Sequence, residues 1–595
     1  MTEDMGIVNR IIVMIVASMG FLCPIQVQAQ QQTYCNPINI DYGYTPFERF
    51  STQGKHRATA DPVIVNFQER LFLFSTNQEG YWHSDNMLDW EFVSRKFLLD
   101  DTYIHDLNAP AAWVMKDTLY VYGSTWESDF PIWKSTNPTV DAWEIAVDTL
   151  KVGAWDPAFH YDEDSDELYL YWGSSNIWPL LGTRINTKTM QSEGYVKPIL
   201  KLQPEDHGWE RFGEYNDNVF LQPFVEGAWV TKHNNLYYMQ YGAPGTEFSG
   251  YADGVYVSKD PLEGYEYQAH NPFSYKPGGF ARGAGHGSTF TDNNGNYWHV
   301  STIFISTKNN FERRLGIWPA GFDKDDVLFS NTSYGDYPTY LPEYAKDRDF
   351  SNAMFAGWML LNYQKPVQTS STLGGYRPNY AVDEDIKTYW SAKTDAKGEW
   401  FQTDLGEAST INAIQINYAD QDAEFMGKTL GKFHQYKIYG SHDGKKWEVI
   451  IDKSKNKTDV PHDYIELETP AKARFLKMEN LHMPTGKFAL SGFRVFGKGN
   501  GPKPEKVEDF IALRADPKKY GERRSIWFKW QQNQLADGYV IYWGKSPDKM
   551  YGSMMVYGAN EYYFTGADRV DAYYFQIEAF NNNGISERTA IIKSD

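Results

Sequence analysis

At 595 residues the chain exceeds what one hydrophobic core can organise, which predicts about two to four domains. Its formal net charge is −20, with acidic and basic residues interspersed. No basic stripe exists that could neutralise a run of phosphates, so nucleic acid is excluded as the expected partner. The 42 Tyr and 20 Trp favour strands and also suit the apolar faces of sugar rings.

In chain order, Arg10 precedes an apolar run from Ile11 to Cys23, and Val27-Gln28-Ala29 supplies a small-x-small cleavage pattern. Residues 1–29 read as a secretory signal peptide, which predicts a secreted, periplasmic or cell-surface protein. Cys23 follows Gly-Phe-Leu rather than small residues, so no lipid attachment is expected, and no later run approaches a membrane span. Removing 1–29 leaves a net charge of −19 and Cys35 as the one cysteine, which excludes an intramolecular disulfide and a cysteine-based zinc site.

The next 300 or so residues alternate short aromatic-rich runs with Gly, Asn and Asp turns, an all-β signature. Five runs are alike: Leu71-Phe-Leu-Phe-Ser, Leu119-Tyr-Val-Tyr-Gly, Leu168-Tyr-Leu-Tyr-Trp, Leu236-Tyr-Tyr-Met-Gln and Asn296-Tyr-Trp-His-Val. They are spaced by 48, 49, 68 and 60 residues, which suits a five-bladed β-propeller over 33–345 with insertions in the later blades. Asp61, Ala109, Glu226 and His286 each stand 10 residues before their run, and Asp156 stands 12 before. Asp-Pro and Glu-Gly are ordinary turn dipeptides singly, but their phase with five repeats predicts that three acids and a histidine face one central channel. Two carboxyl groups across a channel could flank a sugar, one as proton donor and one as base or nucleophile. A third would raise its neighbour's pKa.

Asp61 in Ala-Asp-Pro-Val-Ile-Val, Asp156 in Trp-Asp-Pro-Ala-Phe-His-Tyr-Asp-Glu-Asp and Glu226 in Val-Glu-Gly-Ala-Trp-Val resemble the three signature motifs of glycoside hydrolase family 43. The resemblance implies an inverting glycosidase on a five-bladed propeller: Asp61 as general base, Glu226 as general acid and Asp156 as the residue that tunes and orients that acid. The chain has Ala228 where many relatives have Pro. His286 in Gly-Ala-Gly-His-Gly-Ser resembles a channel histidine that helps hold calcium or water; a purely structural histidine is the alternative. Asn108-Ala109-Pro110 resembles the second-blade motif, which carries no acid. No cofactor is required, with structural Ca²⁺ an option. Arg282, Trp82, Trp155 and Asn108 are candidate substrate contacts, as are Trp126 and, on the turn-rich 242–251 loop, Glu247.

Tyr380-Ala-Val-Asp-Glu-Asp-Ile-Lys-Thr-Tyr-Trp390, Glu399-Trp400, Tyr436-Lys-Ile-Tyr and Gly492-Phe-Arg-Val-Phe496 resemble the discoidin (F5/8 type C) jelly roll over 362–498. Trp390, Trp400 and Trp447 are expected in its core. The stretch 497–504 is a Gly/Pro-rich linker. Beyond it, Ile526-Trp-Phe-Lys-Trp530, Gly538-Tyr-Val-Ile-Tyr-Trp-Gly and Tyr573-Tyr-Phe-Gln-Ile-Glu-Ala-Phe resemble a fibronectin type III sandwich over 503–595.

The resulting expectation is a monomer that hydrolyses terminal bonds in polysaccharide side chains, of α-L-arabinofuranosidase or β-xylosidase type. A galactosidase or galactofuranosidase is the alternative activity, and a retaining mechanism the alternative stereochemistry. A carbohydrate-binding protein that has lost catalysis is the alternative class, but such a protein should lack one of the three acids.

Overall fold

The computed structural model describes residues 31–45, 55–95, 107–124, 131–305, 307, 309–345, 354–515 and 523–594. The signal-peptide segment and Trp126 lie outside these residues. Each of the five repeats folds as a four-stranded antiparallel sheet. Blade 1 runs Val63–Phe67, Arg70–Phe74, Gly80–Ser84 and Glu91–Ser94; blade 2 runs Asn108–Met115, Thr118–Ser124, Ile132–Asn137 and Ala142–Val147. Blade 3 is Ala158–Asp162, Glu167–Trp172, Leu180–Ile185 and Ser192–Leu200. Blade 4 is Glu226–His233, Leu236–Ala243, Ala252–Ser258 and Glu266–Tyr267, and blade 5 is Arg282–Thr291, Tyr297–Phe304, Arg313–Phe322 and Leu328–Ser330.

The first strand of each blade touches the first strand of the next, and that of blade 5 returns to blade 1, so the five innermost strands close a ring. Burial follows from this geometry. The similar runs are second strands, covered on both faces by neighbouring blades, and Leu236–Ala243 is buried at every position but its first. The outermost strands meet water on one side, as the exposed ends of Glu91–Ser94 show. Outside the ring, Thr33–Tyr34 pairs with Thr339–Tyr340, tying the start of the propeller to its end.

The second module is built on two long strands, Trp400–Tyr418 and His462–His482. Both pass a shift in register between Asp404 and Ser409, which lets one strand serve two sheets. Trp390 lies fully buried with Phe401, Phe488 and Phe493. Trp400 and Trp447 do not share that core: both are half-buried, and Trp447 carries Lys477 over its ring.

The C-terminal module faces the sheet Ile511–Arg514, Ile526–Lys529, Glu561–Phe564 against a sheet centred on Gly538–Gly544 and Tyr573–Asn581. Phe528, Ile541, Trp543 and Phe575 fill the space between them, and the same apolar cluster runs on into Trp209 and Tyr241 beside blade 4. Among the described residues, no helix is long and apolar enough to cross a membrane.

Candidate active site

The five in-phase positions meet at one end of the ring, and the backbone shows why the phase exists. Asp61, Ala109, Asp156 and His286 adopt the left-handed conformation, with φ of 54°, 42°, 49° and 46°. Non-glycine residues rarely stay there unless their surroundings hold them. The backbone N–H of each donates to a side chain of the preceding blade: Asp61 to Thr302 Oγ1 (3.0 Å), Ala109 to Thr76 Oγ1 (2.8 Å), Asp156 to Ser124 Oγ (2.7 Å) and His286 to Asp253 Oδ1 (2.7 Å).

Blade 4 differs. Its left-handed residue is Gly227, φ 65°, so Glu226 stands one position earlier than the acids of blades 1 and 3. A Cβ on Gly227 would lie 2.6 Å from the His286 ring, so the glycine makes room for the histidine. The hydroxyl at the matching place on blade 3, Ser174, donates to the Glu226 side chain instead (3.1 Å to Oε2).

The side chains converge. His286 Nδ1 lies 3.2 Å from Asp61 Oδ1 and 3.8 Å from Asp156 Oδ2. Donor atoms of Asp156, Glu226 and His286 all fall within 4.8 Å of one another. Thr76 Oγ1, its lone pair engaged by the Ala109 N–H, donates its own proton to Asp61 Oδ2 at 2.6 Å. The Tyr251 hydroxyl donates to Glu226 Oε1 at 2.6 Å.

The electrostatics separate the acids. Burial alone would raise Asp61, but His286, Arg313 (3.7 Å away) and the Thr76 bond outweigh it and hold the carboxyl below its ordinary value. Asp156 is pushed up to about 8, mainly by burial and then by the Glu226 and Asp61 charges, against the opposing pull of His286 and of the Ser174 hydroxyl. His286 is raised: burial opposes its charge, but Asp61, Asp156 and Glu226 together prevail. An ionised base, an imidazole whose charged form its neighbours favour, and a carboxyl that keeps its proton at neutral pH therefore share the pocket.

Calcium takes about six to eight oxygen ligands. Asp156, Glu226 and His286 bring one ligand atom each within 4.8 Å of one another, two carboxylate oxygens and one imidazole nitrogen, fewer than calcium takes.

The other predicted contacts divide. Asn108 immediately precedes the left-handed Ala109; its Oδ1 accepts from Asn77 and its buried Nδ2 has no partner among the described residues. Trp155 is half-buried, immediately before Asp156. Trp82 does not belong to the site: it is fully buried on the third strand of blade 1, donates to Asp41 Oδ1 (2.6 Å) and is covered by Lys428. Arg282 does not bond the acids; its Nη2 lies 3.7 Å from Asp385 of the jelly roll. The 242–251 loop brings Tyr251 to Glu226, and Glu247 is raised by burial and, secondarily, by the Glu226 charge.

Sequence reasoning missed Tyr251, Arg313 and Asp253. Asp253 holds the His286 and Gly287 N–H groups and His299 Nε2 at once (2.7, 3.0 and 2.9 Å). The clamping hydroxyls could have been found, because Thr76, Ser124, Ser174 and Thr302 each stand five or six residues after the start of their run.

The model for glycosyl hydrolases family 43 matches residues 55–328, and that for the F5/8 type C domain matches 366–491. The chain thus carries a family 43 glycoside hydrolase domain followed by an F5/8 type C domain, and it is a glycosidase. No curated protein matches. Among solved structures, a thermostable family-43 glycoside hydrolase is 20% identical over 50% of this chain and 96% of its own, with a TM-score of 0.41. The xylan beta-1,4-xylosidase from Bacillus halodurans C-125 is 14% identical over 78% and 100%, TM-score 0.39. The alpha-L-arabinanase of Cellvibrio cellulosa complexed with arabinohexaose is 17% identical over 46% and 96%, TM-score 0.36. Likenesses this distant assign no activity.

Proposed function

We propose that the chain is a secreted, inverting exo-glycosidase that removes terminal sugars from polysaccharide side chains, of α-L-arabinofuranosidase or β-xylosidase type. The observation that carries this reading is the convergence of Asp61, Asp156 and Glu226 around His286 in one funnel. Asp61, kept ionised by its three partners, takes a proton from water as that water attacks the anomeric carbon. Glu226, fixed by Tyr251 and Ser174, donates to the leaving oxygen. Asp156, pushed up to about 8, holds its own proton at neutral pH beside Glu226 and orients the acid.

The strand order of the C-terminal sandwich supports its reading as a fibronectin type III module: three strands in one sheet, with Gly552–Tyr557, Gly538–Gly544, Tyr573–Asn581 and Ile592–Ser594 neighbouring in the other.

The test is a panel of chromogenic α-L-arabinofuranosides, β-xylosides and galactosides, with proton NMR of the first anomer released. Turnover of an arabinofuranoside or xyloside with inversion is expected. Retention of configuration, or turnover of galactosides alone, contradicts the reading.

A further inference from the structure

A cavity of about 460 Å³ opens where the three modules meet, within the size range of small-molecule sites. The propeller contributes Tyr215 and Arg282 to its lining, the jelly roll Asp383 and Asp385, and the C-terminal sandwich Tyr562 and Tyr563. No module makes this cavity alone.

Its chemistry matches a sugar. Tyr215 and Tyr563 are 68% and 60% exposed, large aromatic rings that folding leaves uncovered beside a polar hollow. Asp383 accepts from Thr388 Oγ1 (2.7 Å) and the Asp385 N–H (3.0 Å), and a carboxylate keeps lone pairs beyond two such bonds. Arg282 Nε donates to Gly279 O, which leaves other guanidinium N–H groups to donate. Acceptors, donors and apolar ring faces are what a polyhydroxylated ring engages. Glu214, Asp383 and Asp385 outnumber Arg282, which favours a neutral sugar over an acidic one.

Its place in the fold ties it to catalysis. Ser249 and Gly250 line it, and the next residue, Tyr251, holds Glu226. Arg282 opens the strand that carries His286. Thr565 Oγ1 donates to Tyr215 O, fixing the propeller loop to the third module. Lys387 of the jelly roll pairs with Glu214 at 3.3 Å, fixing it to the second.

We propose that this cavity is a subsite for a neutral oligosaccharide, taking the part of the substrate beyond the sugar that is cleaved. The inference rests on the glycosidase reading above, and it makes the two accessory modules part of the specificity of the enzyme. The test uses the full chain and the Tyr215→Ala/Tyr563→Ala double variant, whose rings are exposed and leave the core intact. Kinetics are compared on the preferred aryl glycoside and on soluble arabinoxylan and arabinan. The variant should show KM for the polysaccharide raised about tenfold, roughly 1.4 kcal/mol of binding, with kcat held and aryl-glycoside kinetics unchanged. An unchanged polysaccharide KM overturns the subsite, as does equal loss on both substrates, or a wild type that cleaves the aryl glycoside but neither polysaccharide. Absence of any aryl-glycoside turnover by the wild type would instead overturn the glycosidase reading.

Discussion

Asp61 and Asp156 are both aspartates held left-handed by a side chain of the preceding blade, yet they titrate in opposite directions. Asp61 has Thr76, Arg313 and His286 to stabilise its charge; Asp156 is more deeply buried and faces two other carboxyls. The signs follow for the pH profile. As pH falls, activity persists until Asp61 takes a proton, which its lowered pKa places below the ordinary aspartate range. As pH rises through about 8, the proton held by Asp156 is lost and the alkaline limb descends. Thr76→Val removes one interaction that lowers Asp61, so the acid limb of kcat/KM should move to higher pH while the alkaline limb stays. A pH–rate profile of the variant checks this, and an unmoved acid limb would remove Thr76 from that role.

At the scale of the strand, what was legible and what was not divides along sequence distance. The three acids and His286 could be read because each recurs 10 or 12 residues before its run. The one-residue offset of Glu226 could not, since Glu226-Gly227 aligns with Asp61-Pro62 in spacing, and only the backbone shows the left-handed turn falling on Gly227. Tyr251 and Arg313 reach the site from second-neighbour strands and loops, with no local pattern to mark them. Trp82 was misplaced because proximity to Asp61 in sequence does not say which face of the third strand a side chain takes; here it is the face packed on Phe92. The offset has its own consequence. Gly227→Ala adds a Cβ 2.6 Å from the His286 ring at a φ that disfavours side chains, a strain of about 1–3 kcal/mol. A propeller buried in a larger molecule should absorb that and remain folded, while kcat falls at least tenfold as His286 and Glu226 are displaced. Circular dichroism with kinetics checks it; wild-type kcat would show that the close approach is not needed.

Over the whole molecule, the modules are joined by buried charge as well as apolar surface. Arg57 of the propeller pairs with Asp420 and Asp459 of the jelly roll at 2.5 and 2.8 Å, with all three side chains almost fully buried. Arg314 reaches the same Asp420 at 3.3 Å. In the other direction, Arg494 of the jelly roll, paired with Glu384, donates to Asp336 O of the propeller at 2.5 Å. Cys35 is buried at this junction, its Sγ donating to the same carbonyl at 3.2 Å. Removing one partner of such a pair leaves an uncompensated buried charge, costing about 3–5 kcal/mol. The propeller and the jelly roll are therefore fixed relative to one another, and Lys549 of the sandwich pairs with Asp323 of the propeller at 2.6 Å, an attachment that the Gly/Pro-rich joint before the sandwich does not suggest. The structure resolves that tension: the joint is itself pinned, with Gly499 N–H donating to Asn582 O at 2.9 Å. A fixed arrangement is what allows three modules to wall one cavity beside the funnel.

The roles assigned to Glu226 and Asp61 are tested most directly by hydrolysis of two aryl glycosides of the same sugar, one with an activated dinitrophenyl leaving group and one with unactivated phenol. An acid is needed only where the leaving oxygen is basic, whereas the base is needed for both. Glu226→Gln should lose about 10²–10⁴-fold on the phenyl glycoside and far less on the dinitrophenyl one, while Asp61→Asn loses activity on both alike. Equal losses for Glu226→Gln on the two substrates, or an active Asp61→Asn, would contradict the account.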